Sequence, residues 1–247
     1  MGTVKEILYF DKSDKTNADE MTKFAKKRAD ELGIKNVVVV WSSGYTLTKF
    51  MEAAGDTKLN IVAVTNPSPH SETRGMMPIV IMDRDSAEVK KEKQALLDQG
   101  ITERNSTISD ETRAELEKRG IKVCYLNDWF NLGEPYALTD EWGGRRKIIE
   151  RFGVGAHIRP LDIDAGADLS PYTTISQGVR VCIGCTVLAV KNGIIADGET
   201  VLALGGRCTA LVLRAGKTAK TTIVKEIVGY ERGSSHFERD PDHPEGD

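Results

Sequence analysis

Two short apolar runs joined by an amphipathic stretch constrain the fold more than any other feature of the chain. The first run is NVVVVW, residues 36–41, and the second is LNIVAVTN, residues 59–66. Neither alternates with polar residues, which is typical of strands that are covered on both faces of a sheet. A crossover helix between two such strands predicts a parallel pair in an α/β fold. The helical stripe between them consists of Leu47, Phe50, Met51 and Ala54.

Comparable patterns continue along the rest of the chain. Helices are expected over residues 18–32 and in SAEVKKEKQALLDQG, SDETRAELEKRG, RRKIIERFG and TISQGVRVCIGCTVLAVKNG. Strands are expected in IKVCYLND, ETVLALGG and TALVLRAG, with IVIM a short strand and KTTIVKEIVGYER an edge strand. The link between ETVLALGG and TALVLRAG is too short for a crossover, so these two should form an antiparallel hairpin. Asn17 and Glu20 have the spacing of a capping box for the first helix.

Composition excludes several classes of partner. The 247 residues are 40% hydrophobic and 29% charged, with a formal net charge of -3, which is ordinary for a globular protein. No long block of like charge and only 6% aromatic residues speak against nucleic-acid or membrane-surface binding. No signal peptide is recognisable, and no apolar run approaches the ~18 residues of a membrane span. Four cysteines without a secretion signal favour reduced thiols and a cytoplasmic location.

Candidate ligand-binding segments follow the predicted parallel strands. In open α/β sheets, ligands bind beyond the carboxyl ends of the strands. The four segments there are SSGYT, TNPSPH, NDWF and GGRCT, of which the second begins with Thr65 and Asn66. Three of the four contain the hydroxyl, amide or glycine groups that suit an anion.

The SSGYT segment admits two interpretations. As a phosphate cradle, Gly44 removes the Cβ, and the first N–H groups of the next helix point outward with a favourable dipole. Ser42, Ser43 and Thr46 would add hydroxyl donors. As a plain turn, Ser43 is only the N-cap of the helix and Gly44 a turn residue. The segment is neither a Walker A loop nor a G-x-G-x-x-G fingerprint.

The GGRCT segment strengthens the first interpretation. Gly205 and Gly206 free the backbone, and Arg207 has the planar cation that suits phosphate. The alternative is a glycine-rich hairpin turn with a solvated arginine. Two such segments at one edge of the sheet favour a phosphate site more strongly than either segment would alone.

Other reactive residues carry less information. Cys182 and Cys185 form a Cys-x-x-Cys pair inside an apolar helix, which favours core packing over redox or zinc chemistry, and no metal site is expected. No Ser-His-Asp or paired-carboxylate arrangement follows from the spacing, so no catalytic residue is assigned. The groups available to an enzyme at the ligand edge are His70, Arg74, Asn127, Asp128 and Cys208.

Two segments of the chain resemble the C-terminal α/β domain of pyruvate kinase. Residues 20–66 resemble the start of that domain, and GETVLALGGRCTALVLRAG, residues 198–216, resembles its end. More closely, the chain resembles the stand-alone prokaryotic proteins of the pyruvate kinase C-terminal-domain-like class, over about residues 17–230. The resemblance implies a three-layer α/β/α fold, with a mostly parallel sheet of five to six strands and an antiparallel last hairpin. Residues 1–232 would form one domain, and 233–247 a disordered polar tail.

The resemblance also implies a ligand. In pyruvate kinases with an allosteric site, the loop after the first strand cradles a sugar phosphate, and it aligns with residues 42–46 of this chain. The late glycine-rich loop closes over a second phosphate and aligns with Gly205, Gly206, Arg207 and Thr209. Tyr45 is bulkier than the usual residue, which favours a ligand with a flat ring. The stand-alone relatives are associated with flavin mononucleotide (FMN), which would satisfy both features.

Three functional hypotheses follow. The first is a binding protein for a phosphorylated ligand, with FMN as the leading candidate. The second is an enzyme that acts on a phosphorylated metabolite or uses the flavin for redox chemistry. The third is an assembly module without a ligand, since pyruvate kinase uses this domain in its tetramer contacts and a homo-oligomer is therefore expected. Pyruvate kinase activity is excluded, because that chemistry needs a (β/α)8 barrel for which this chain has no repeating pattern.

Overall fold

The computed structural model describes residues 5–11, 14, 16–66, 68–70, 76–79, 81, 87–126 and 175–231. Its elements in chain order are β1 (Leu8–Phe10), α1 (Asn17–Glu31), β2 (Asn36–Val40), α2 (Tyr45–Ala54), β3 (Asn60–Thr65), β4 (Met76–Pro78), α3 (Ala87–Asp98), β5 (Glu103–Asn105), α4 (Asp110–Lys118), β6 (Lys122–Tyr125), α5 (Gln177–Lys191), β7 (Thr200–Leu204), β8 (Ala210–Arg214) and β9 (Ile223–Glu231). The helix predicted at 145–153 and the tail predicted at 233–247 lie outside the described residues.

The main sheet has seven strands in the order β1-β9-β8-β7-β2-β3-β6. Strands β7, β2, β3 and β6 are mutually parallel, whereas β8 is antiparallel to both of its neighbours. The predicted parallel pair and the predicted antiparallel hairpin are therefore confirmed. The prediction of five to six strands was too low because β1, which no pattern indicated, pairs in parallel with β9. As a result, β9 is an interior strand rather than the edge strand that its sequence predicted.

Helices cover both faces of this sheet, which confirms the three-layer α/β/α fold. Helix α5 packs on one face, against residues such as Val38, Val62 and Ala203. Helices α1, α2 and α4 pack on the other face, where Val37, Val39 and Leu202 point. The continuous apolar runs of β2 and β3 follow from this double coverage, since alternate residues enter different cores.

The chain reverses direction across the sheet beside β2. From β2 it proceeds to β3 and β6 on one side, and α5 then returns it to β7 on the other side. Helix α2 leaves β2 over one face, while α5 leads into β7 over the opposite face. A crevice opens at such a reversal, because the two connections separate instead of filling the same space. The carboxyl ends of β2 and β7 are therefore where this topology places a ligand.

Two local predictions were wrong. Asn17 and Glu20 do not form a capping box: Thr16 occupies the N-cap position without a side-chain cap bond, and the Asn17 amide donates to Cys208 Sγ at 3.2 Å instead. The strand predicted at IVIM lies earlier, at β4, where it pairs antiparallel with β5 in a separate two-stranded sheet. Within the described residues, no helix has both the length and the apolar character needed to cross a membrane.

An ion pair fastens α1 to β9. Arg28 Nε lies 2.5 Å from Glu226 Oε1, and its second guanidinium bond reaches Oε2 at 2.8 Å. The two side chains are only 11% and 17% exposed, so the pair is largely shielded from water. The bonds to Glu226 hold the pKa of Arg28 above its ordinary value, and bonds to Glu31 add to this.

We expect Glu226→Gln to lower the free energy of unfolding by about 2 kcal/mol, because it leaves a shielded guanidinium without its bidentate carboxylate. Urea denaturation measures this. Glu31→Gln is the matched control, since Glu31 bonds the same arginine at 2.5 Å from a side chain that is 45% exposed. Its effect should be much smaller. Equal effects of the two variants would contradict the assignment of Arg28–Glu226 as the dominant pair.

Candidate functional site

A cleft of about 340 Å³ opens at the carboxyl edge of the main sheet. Its walls come from the turn after β2, the loop after β7, the first turn of α5 and one face of α3. Both glycine-rich segments singled out in the sequence therefore line one cleft. Nine of the eleven sequence-predicted site residues are in its lining: Ser42, Ser43, Gly44, Tyr45, Thr46, Gly205, Gly206, Arg207 and Thr209.

The turn after β2 requires glycine at position 44 for two reasons. Gly44 has a φ of 79°, in the left-handed region that other residues rarely adopt. A Cβ there would also lie 2.6 Å from the ring of Trp41. Gly44 is itself the N-cap residue of α2, and no side chain caps this helix. The interpretation of Ser43 as a simple N-cap is therefore wrong.

The start of α2 offers hydrogen-bond donors to the cleft. No described residue accepts a hydrogen bond from the backbone N–H groups of Ser43, Gly44, Tyr45 or Thr46. The N-terminal turn of a helix concentrates such donors together with the positive end of its dipole. Ser42 and Ser43 are exposed, so their hydroxyl groups remain accessible beside these N–H groups.

The loop after β7 contributes a cation. The Gly205 N–H donates to the Thr209 carbonyl oxygen at 2.9 Å, which closes the loop into a compact turn. Gly206 has a φ of 85° and no atom near the position of a Cβ. Arg207 is half-buried in the cleft wall and forms no ion pair with any other described residue. Its guanidinium is thus held at the cleft without a carboxylate partner from the described chain.

Helix α5 begins against this loop, from the opposite face of the sheet to α2. Ser176 caps it by accepting from the Val179 N–H at 3.2 Å. A Cβ on Gly178 would lie 2.5 Å from Thr209 Cβ and 2.7 Å from the Gly205 carbonyl oxygen. The helix and the loop therefore meet backbone to backbone. The candidate segments predicted from the sequence do not include this helix start, although a serine followed two residues later by glycine at the start of an apolar helix is a signal for it.

Thr65 and Asn66 do not line the cleft, although the sequence placed them at the ligand edge. The Thr65 hydroxyl donates to the Ser106 carbonyl oxygen at 3.2 Å, and the Asn66 amide donates to the Ser106 hydroxyl. These bonds attach the end of β3 to the segment before α4. Thr65 and Asn66 lie away from the cleft because β3 is on the far side of β2 from β7.

Tyr45 is oriented toward α1. Its hydroxyl lies 3.5 Å from Asp19 Oδ2, and Lys49 Nζ lies 5.7 Å from the centre of its ring. Lys49 also pairs with Asp19 Oδ1 at 3.1 Å, so the three side chains form one polar cluster between α1 and α2. The hydroxyl group of Tyr45 is therefore engaged by α1. The expected contact of its ring with a flat ligand ring stays a prediction.

Of the residues considered for catalysis, the structure describes His70 and Cys208. His70 is exposed and does not line the cleft, and its Nε2 lies 2.7 Å from Asp110 Oδ2. Arg74, Asn127 and Asp128 lie outside the described residues. Cys208 does line the cleft but is only 4% exposed.

The Cys-x-x-Cys pair lies on the buried side of α5, within the core, as its apolar surroundings predicted. Burial raises the pKa of the Cys182 thiol well above its ordinary value, which makes it a poor nucleophile. Across the part of the chain that the structure describes, no three His, Cys, Asp or Glu side chains are grouped so that they could hold a metal ion.

No protein-family model matches the chain. The functional assignment therefore depends on the geometry of the cleft itself, and the resemblance to the pyruvate kinase C-terminal domain remains a prediction from the sequence.

We expect Gly178→Ala to destabilise the protein by about 1–3 kcal/mol, because the added methyl group overlaps Thr209 and Gly205. Helix propensity alone would predict the opposite effect, an increase of about 1 kcal/mol in the free energy of unfolding. Gly206→Ala is the matched control: it meets no atom and costs only the backbone strain of a left-handed residue, about 1 kcal/mol. Thermal unfolding of both variants measures the difference. A Gly178→Ala variant as stable as the parent would contradict the tight helix–loop contact.

Proposed function

We propose that the chain binds a small molecule through a phosphate group in the cleft between the carboxyl ends of β2 and β7. The observation that carries this proposal is the uncapped start of α2, whose N–H groups have no acceptor among the described residues. An isolated helix end in water needs no ligand, but this one lines a cleft together with Arg207 and the start of α5. Donors from the start of α2 and one guanidinium favour a group with several acceptor oxygens and negative charge.

The rest of the cleft supports a ligand larger than phosphate. Its volume falls within the range of about 300–1,000 Å³ that small-molecule sites occupy. Four aliphatic side chains add an apolar wall to the polar loops. They are Val40, Val89, Leu96 and Val181. A phosphate ester with an apolar ring system would use both parts of such a cleft, which keeps FMN as the leading candidate.

A charge placed at Ser43 tests the phosphate position. Ser43→Asp adds a carboxylate beside the free N–H groups, and we expect it to weaken FMN binding by about tenfold or more through repulsion and competition for the donors. Ser43→Asn has the same shape without the charge and is the matched control. Because Ser43 is exposed, neither variant should unfold the protein. Isothermal titration with FMN measures both affinities, and equal binding by Asp and Asn variants would refute the assignment.

Arg207 provides an independent test on the other loop. Arg207→Gln keeps the length of the side chain approximately but removes its charge, and we expect FMN affinity to fall by about ten- to a hundredfold. Arg207→Lys should recover only part of the loss, because an ammonium group cannot form two parallel bonds with a phosphate. Fluorescence titration of the flavin follows both variants. An affinity unchanged in Arg207→Gln would remove this residue from the site.

The identity of the ligand is tested separately from the phosphate group. We expect the purified protein to bind FMN and to bind riboflavin, which lacks the phosphate, at least about a hundredfold more weakly. Visible absorbance and fluorescence quenching of the isoalloxazine report both interactions. Equal affinity for the two flavins would contradict the phosphate site, whereas binding of inorganic phosphate without either flavin would retain the site and exclude FMN.

A further inference from the structure

A buried carboxylate lies at the same edge of the sheet as the proposed phosphate site. Glu231 is the last residue of β9, and β9 runs parallel to β7 because β8 between them is antiparallel to both. Its side chain is therefore carried to the carboxyl edge, where it lines the cleft together with Arg207. The ends of β7 and β9 are separated by two inter-strand spacings, which amount to roughly 10 Å.

The two ends of the cleft differ in hydrogen-bonding character. The end at β2 and β7 presents donors: the N–H groups at the start of α2 and the guanidinium of Arg207. The end at β9 presents Glu231, which is only 8% exposed and, when ionised, accepts hydrogen bonds without donating any. Helix α3 adds one residue of each sign to the lining, Glu92 and Lys93.

We propose that Glu231 selects phosphate esters whose carbon skeleton carries hydroxyl or amino groups. This inference rests on the proposed phosphate site and adds a second point of recognition to it. A ligand anchored beside Arg207, at the end of β7, and extending about 10 Å toward β9 brings its far groups to a buried acceptor. Hydroxyl or amino donors match that acceptor, whereas an apolar skeleton leaves a carboxylate desolvated without a new bond. The ribityl chain of FMN belongs to the favoured class.

Calorimetric titration with three probes tests the selection. The probes are inorganic phosphate, phenyl phosphate and ribose 5-phosphate, so the hydroxylated ester is compared with an apolar ester and with the bare anion. We expect the parent protein to bind ribose 5-phosphate about tenfold more tightly than phenyl phosphate. Glu231→Gln should abolish this preference and leave the affinity for inorganic phosphate within about twofold. Glu199→Gln, an exposed glutamate before β7 at the opposite edge of the sheet, should behave like the parent.

The outcomes separate this inference from the proposed function. If the parent binds all three probes equally well, the phosphate site stands and the selection by Glu231 is overturned. If Glu231→Gln weakens all three probes alike, Glu231 supports the fold rather than the ligand, and the inference is again overturned. If no probe binds the parent, the phosphate site itself fails and the inference fails with it.

A second variant covers the case in which Glu231→Gln does not unfold cooperatively. Glu231→Asp retains the charge but shortens the side chain by one carbon, which withdraws the acceptor from the ligand. We expect the same loss of preference for ribose 5-phosphate, and a preference equal to that of the parent would overturn the proposal.

Discussion

The cleft depends on the contact between the backbones of Gly178 and Gly205. Helix α5 leads into β7, and its first turn meets the loop after β7 so closely that a Cβ on Gly178 would overlap Thr209 and the Gly205 carbonyl oxygen. This contact fixes a helix end against a strand end on one face of the sheet. Helix α2 leaves β2 over the other face. The crevice between β2 and β7 therefore has one wall set by a close glycine contact and another set by the left-handed turn at Gly44.

Much of this arrangement could be predicted from the sequence, since the signals are local. The apolar runs at 36–41 and 59–66 indicated buried parallel strands, and the short link after β7 indicated a hairpin. The glycine-rich segments at 42–46 and 205–209 indicated a shared ligand edge, because the carboxyl ends of parallel strands lie together. Fold class and the two principal loops needed only periodicity and turn chemistry.

The remaining features depend on contacts between distant parts of the chain. Asn17 has the sequence context of a cap, but it donates to Cys208, which is 191 residues away. Strand β1 has three residues and acquires its structure from pairing with β9. Thr65 and Asn66 follow a parallel strand as predicted, yet the strand order places β3 beyond β2, so their side chains bond Ser106 instead. Glu231 could not be located before the register of β9 was known.

The packing of Trp41 against Gly44 has a consequence for reading related sequences. Any side chain at position 44 would collide with the indole ring and would require a left-handed backbone, whether or not a ligand is bound. A glycine retained at this position through evolution would therefore report the shape of the turn and nothing about phosphate. Ser43 is exposed and caps no helix, so its retention across relatives would be the informative pattern.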